Sequence, residues 1–147
     1  MKLKVLVNFD FGALHSQMPK IIEKTMQRYA RSAEMGSKEA IDKGVSPKLE
    51  ESTIRRRKRR GTGGTKPLFE TGTLYRSIKG TSEGLDMIGY GYLHHIGDVG
   101  QYLNMKKRRE FITISKKQIM PTLDKFKKDI RIALRSNKSI AWDNPKK

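Results

Sequence analysis

Cysteine is absent from the 147 residues, which excludes a disulfide scaffold, thiolate zinc sites and a thiol nucleophile. Long apolar runs are also missing: none approaches the ~20 residues that a bilayer span requires. The opening MKLKVLVNFDF is too short and too regularly alternating for a signal peptide. Acidic residues are scarce, with 15 Asp+Glu against 32 Lys+Arg and a formal charge of +17. At 35% hydrophobic and 32% charged residues, the chain is polar for a globule yet richer in apolar residues than a disordered one. Its length suits one domain that buries a core without staples.

The positive charge is uneven. Residues 1–54 carry a net +2, residues 55–105 a net +5 and residues 106–147 a net +10. The densest piece is Arg55-Arg56-Arg57-Lys58-Arg59-Arg60. Six consecutive cations put charge on every face of a helix or strand, so the run is expected to be solvated or to meet an anionic surface. Lys106-Lys107-Arg108-Arg109 reads the same way.

Residues 3–11 alternate, with Leu3, Val5, Val7, Phe9 and Phe11 on one face and Gly12 as the stop. This is the period of a half-buried strand. A helix follows, starting near Ser16 and Pro19 and ending at Gly44, because proline belongs in a first turn and glycine at a helix end. Its apolar face is Ile22, Met26, Tyr29, Ala30, Ala33, Ala40 and Ile41, and Gly36-Ser37 marks a place where it can bend.

Residues 45–67 read as a basic, Gly-rich loop or arm, with a short helix through Leu49 and Ile54 dissolving into the cationic run. Gly61-Thr62-Gly63-Gly64-Thr65-Lys66 lacks the spacing and the Gly-Lys-Ser/Thr ending of a phosphate-binding P-loop. Thr71 is placed to cap a short helix carrying Leu74, Tyr75 and Ile78. Two strands are expected near 77–82 and 85–89, turning at Glu83-Gly84, and a short strand or extended piece at 111–115. Pro121 is expected to open a last helix with Leu123, Phe126, Ile130 and Leu134 inward. Residues 1–136 thus form a single α+β domain: a small antiparallel sheet packed against a long N-terminal helix and a C-terminal helix, with a long basic loop. Residues 137–147, with Trp142, form an unpacked tail.

Candidate chemistry is thin. His94 and His95 are adjacent; neighbours diverge on a helix and oppose on a strand, so the two cannot share one metal. Asp98 is the one carboxylate close to His94, a pairing open to a metal or an acid–base role. The alternative is that one histidine makes a structural hydrogen bond in a turn and the other is exposed. No nucleophile elbow, acid pair or HExxH occurs, so neither an enzyme nor a cofactor is expected. The cations favour phosphate, but no Cys/His finger, RNP motif or basic zipper accompanies them. Charge alone supports sequence-independent contact with nucleic acid.

Three blocks carry a resemblance. Ser52-Thr53-Ile54 precedes the cationic run. Lys66-Pro67-Leu68-Phe69-Glu70-Thr71-Gly72-Thr73-Leu74-Tyr75-Arg76-Ser77-Ile78 follows it. Then come Tyr90, His94 and Gly97, and Arg109-Glu110-Phe111-Ile112. In this order they resemble the virion morphogenesis proteins of tailed bacteriophages, the tail-completion or neck proteins. The family pattern is Lys-Pro-Leu-x-x-Thr-Gly-x-Leu-x-x-Ser-Ile, then Tyr-x-x-x-His-x-x-Gly, then Pro-x-Arg-x-Phe; the chain departs from it at Lys107, where the family has proline. The likeness covers about residues 46–115. It implies a non-enzymatic virion subunit that forms a ring of six copies, meeting the head connector or adaptor on one side and the tail terminator or tail tube on the other. Genomic DNA would pass through the lumen without sequence-specific contact, and no membrane is involved. Arg55, Arg56, Arg57, Lys58, Arg59, Arg60, Lys106, Lys107 and Arg108 would then face a neighbour or DNA. Lys66, Pro67, Leu68, Thr71, Gly72, Leu74, Ser77, Ile78, Tyr90, His94, Gly97, Arg109 and Phe111 would be structural.

Overall fold

A computed structural model describes residues 5–9, 11–62, 64–96, 108–136 and 138–142, with backbone alone for 5–9 and 138–142. The elements in chain order are β1 (Val5–Phe9), α1 (Phe11–Lys43), α2 (Glu51–Arg59), α3 (Thr73–Ser77), β2 (Lys79–Gly80), β3 (Leu85–Asp86), α4 (Gly89–Ile96), α5 (Lys116–Ser136) and β4 (Lys138–Trp142). The fold is α+β and mostly helical. Two antiparallel ribbons, β1–β4 and β2–β3, accompany the long N-terminal and C-terminal helices, and β2 and β3 pack on α1.

α1 begins at Phe11, earlier than the Ser16–Pro19 signal suggests. The helix places Pro19 in its third turn. It ends as expected: Gly44 takes φ +84° and its N–H donates to Ile41 O at 3.1 Å, the left-handed conformation that glycine supplies without strain.

α1 and α5 run antiparallel. Arg28 Nη1 meets Asp129 Oδ2 at 3.0 Å, Ser32 Oγ donates to Gln118 O at 3.2 Å, and Gln118 Nε2 donates to Glu39 Oε2 at 3.0 Å. Gly36 lies between these contacts, and α1 continues through it unbroken. A Cβ at Gly36 would fall 2.1 Å from Thr113 O. This glycine is therefore a point of close approach rather than the bend expected of it. Gly80 is similar: its Cβ would lie 2.5 Å from the Ala30 backbone.

The core gathers Ile41, Val45, Leu74, Ile78, Met87 and Phe111. Of the expected α1 face, Ala30, Ala33 and Ile41 are buried, but Ile22, Met26 and Tyr29 are 48%, 45% and 41% exposed. The stripe runs beyond the β2–β3 ribbon and α3, which cover only the later half of the helix. α5 is also turned relative to expectation: Thr122 and Ala133 are buried whereas Leu123 is exposed.

Three further expectations change. α5 starts at Lys116, not Pro121. The missed signal is a capping box: Gln118 N donates to Ser115 Oγ at 3.3 Å and Ser115 N donates to Gln118 Oε1 at 2.9 Å. The expected unpacked tail contains β4, with Lys138 opposite Phe9 and Trp142 opposite Val5. Finally, much of the cationic run belongs to α2 rather than to a loop. The two expected hairpin strands are present but short, turning at Thr81–Gly84, and 108–115 forms no strand.

Gly36→Ala is expected to lower stability by about 1–3 kcal/mol or more through overpacking, although alanine in an open helix site is favoured over glycine. Urea denaturation measures it, and a stabilised variant would refute the close approach to Thr113. Ser115→Ala should cost about 1 kcal/mol by loss of the cap in the same assay; an unchanged midpoint would refute the capping box.

Candidate functional site

A cavity of about 230 Å³ opens where α2, the 68–74 segment, α4 and the chain returning at Arg109 converge. Leu49, Arg57, Leu68, Glu70, Thr71, Gly72, Thr73, Leu74, Tyr90, His94 and Arg109 line it. Most of the residues that carry the sequence resemblance in its second and third blocks therefore meet around one recess, together with one arginine of the cationic run.

Arg57 corrects the expectation for that run. It is 8% exposed, and α2 turns it inward while Arg55, Arg56, Lys58, Arg59 and Arg60 remain exposed. Burial of a guanidinium requires partners. Arg57 Nη1 donates to Lys66 O at 3.0 Å and to Gly64 O at 3.4 Å. Its Nε stands 3.5 Å from Glu70 Oε2, an ion pair too long and misaligned for a hydrogen bond. Thr62 Oγ1 also donates to Glu70, at 3.1 Å. The Gly-rich stretch is thus folded around Arg57.

The wall opposite is built by turn chemistry. Leu68 adopts φ +62° and Gly72 φ +74°. Glycine does this freely, but leucine in the left-handed region stores strain, of the order of 1–3 kcal/mol, of a kind that clusters at ligand clamps. Thr71 is not the formal cap of α3, a position Gly72 takes. Its hydroxyl lies 2.7 Å from Thr73 Oγ1 and accepts a long bond from Thr73 N at 3.4 Å.

α4 presents Tyr90 and His94 one turn apart on one face, in edge contact with ring centroids at 6.2 Å. Arg109 N donates to His94 O at 2.9 Å and Arg109 Nε donates to Pro47 O at 3.1 Å. Burial, and secondarily the nearby Arg57 charge, holds Arg109 below the ordinary arginine value. Burial also raises the Tyr90 phenol, against a backbone hydrogen bond from Leu74.

The two histidines divide differently from expectation. His95 is the structural one, on a helix rather than in a turn: its Nδ1 accepts from both Phe111 N and Ile112 N, each at 3.3 Å. The ring also meets Phe111 edge-on at 5.7 Å. His94 is half-buried, not exposed, and its Nδ1 is buried without a hydrogen-bond partner.

The remaining motif residues serve elsewhere. Pro67, Ile78 and Phe111 are buried. Ser77 Oγ donates to Leu74 O and accepts from Ile88 N. Arg108 is exposed, donating to His95 O and pairing with Glu110 at 2.9 Å. Gly97, Asp98, Lys106 and Lys107 lie outside the described residues. Sequence reasoning gave no site role to Leu49, Glu70 or Thr73, all of which line the recess. The signal for Glu70 was its isolation, as the only acid between Glu51 and Glu83, set just after six cations. Among the described residues no group of three or more His, Asp or Glu is placed to hold a metal, and no helix is long and apolar enough to cross a membrane.

Burial lowers the proton affinity of both imidazoles; the Arg109 charge adds to this at His94 and the Arg108 charge at His95, where Glu110 opposes it. Below about pH 6.5 the unfolded chain therefore binds more protons than the folded one, and stability present above that pH is lost as the pH falls. Glu34 and Asp129, whose carboxyls are lowered chiefly by hydrogen bonds from Lys38 and Arg28, add their losses only at more acid pH. The melting temperature is expected to fall between pH 7.5 and 5.0, and His95→Gln, whose amide accepts but does not titrate, should flatten that slope. A flat wild-type profile would overturn the assignment of neutral imidazoles.

No protein-family model, no curated protein and no solved structure matches the chain.

Proposed function

We propose that the chain is a structural, non-enzymatic subunit of the head–tail joint of a tailed phage, a neck or tail-completion protein that assembles into a ring of six copies. The observation that carries this reading is spatial. Leu68, Thr71, Gly72, Leu74, Tyr90, His94 and Arg109, which belong to the motif blocks and come from three separate stretches of the chain, line one recess. In this reading the motif's work is to join α2, α3, α4 and the return segment into one rigid unit.

Two surface features support assembly. Ile22, Met26 and Tyr29 extend the buried stripe of α1 into solvent, and exposed apolar area of this kind marks interaction surfaces. The outward cations of α2, with those of α5 at Lys127, Lys128, Arg131 and Arg135, suit DNA in a lumen or acidic neighbours among the connector, tail terminator and tail-tube proteins. The protein would then reside in the virion, and in the host cytoplasm during assembly.

A second reading rests on the same cations: a sequence-independent nucleic-acid-binding protein. Arg55, Arg56, Lys58, Arg59 and Arg60 face solvent together around α2, which favours phosphate contact with a steep salt dependence.

Negative-stain microscopy of the purified chain is expected to show rings, and deletion of the gene from the phage that carries it to leave filled heads and separate tails. Infectious particles from the deletion would refute the head–tail role. Tight DNA binding by a monomer, weakening steeply with salt, would favour the second reading.

A further inference from the structure

We propose that the recess between Arg57 and Arg109 is a binding site for a carboxylate on a short aliphatic stem. Its charged lining is two guanidiniums, of which Arg57 is buried, and one carboxylate, Glu70, so it holds an excess of positive charge. Arg57 uses Nη1 on the Lys66 and Gly64 carbonyls and Arg109 uses Nε on Pro47 O. Neither guanidinium is consumed by a bidentate carboxylate, the arrangement that satisfies it best. His94 also lines the recess, and its Nδ1 is buried with no hydrogen-bond partner, a polar atom that is costly to leave unmet. Leu68 is held at φ +62° at the rim, strain that the fold sustains where the recess is shaped.

The other lining residues set the class of anion. Leu49, Leu68, Leu74 and Tyr90 form an apolar wall suited to methylene groups rather than to a hydrated ion. A recess of about 230 Å³ accommodates a carboxylate with a few methylenes, at about 30 Å³ per displaced water. A phosphate within a nucleic acid is flanked by sugars on both sides and cannot withdraw into a space of this size. The chemistry is met by a free aliphatic acid or by a glutamate or aspartate side chain of another polypeptide. The site does not depend on the head–tail reading, since ring assembly and carboxylate capture can each fail alone.

The test uses the full chain and NMR signals of the His94 imidazole and of the Arg57 and Arg109 Nε–H groups. Propionate, the end-blocked peptide acetyl-Gly-Glu-Gly-amide and inorganic phosphate are each titrated at constant ionic strength against chloride. Propionate is expected to give saturable shifts at all three residues and none at the exposed His15. Saturation by the peptide as well assigns the source to a polypeptide side chain; saturation by propionate alone assigns it to a free acid. Arg109→Gln should weaken binding at least tenfold while the circular dichroism spectrum is retained. If that variant unfolds, His94→Gln, which leaves Arg109 in place, should weaken it measurably. Saturation by phosphate alone, or shifts that grow linearly and equally at His15, would overturn the proposal.

Discussion

The structure depends on how little side chain α1 carries along its middle. At Gly36 the helix meets the Thr113 carbonyl closer than any Cβ permits, and at Ala30 it meets the backbone of β2. Ala33 and Ser37 fill the same buried stretch. Because the approach is backbone to backbone, α5, β2 and the 108–115 segment are brought to fixed distances from one helix. Larger residues would hold them apart and open the core between Ile41, Ile78 and Phe111.

The second organising choice is electrostatic. A helix ending in five basic residues with a sixth at its cap could stay wholly in solvent, but one of them, Arg57, is folded inward, where its Nη1 donates to backbone carbonyls of a Gly-rich turn and its Nε stands 3.5 Å from Glu70. The remaining cations stay outside. The +17 charge is therefore two things: an outer field from α2 and α5, and a small inner surplus around the recess. The outer field is screened by salt within about 10 Å at 0.1 M; the inner charges, desolvated, are screened far less.

Much of this was legible in residues. Gly44 ended α1 as its backbone freedom requires, and the hairpin at Thr81–Gly84 and the α+β class followed from patterning. The failures were of two kinds. Gly36 and Arg57 were misread because local rules take glycine as a weak point and arginine as solvated, whereas packing partners distant in sequence used both. The α5 start was misread because Pro121 is the louder signal, yet the Ser115–Gln118 box lay in plain sequence. The recess itself was legible only as a set of motif residues. Their convergence, and the roles of Leu49 and Glu70, needed the fold.

One consequence of the β1–β4 pairing is mechanical. Val5 faces Trp142 and Phe9 faces Lys138, so the chain enters and leaves the ribbon at the same end. Tension applied along the backbone from outside would peel its rungs one at a time rather than shear them all at once, a low-force geometry. The ribbon closes a contour of more than a hundred residues, the longest loop in the molecule. Under load it would part first and leave the α1–α5 pair behind it intact, like a fuse placed ahead of the part it protects.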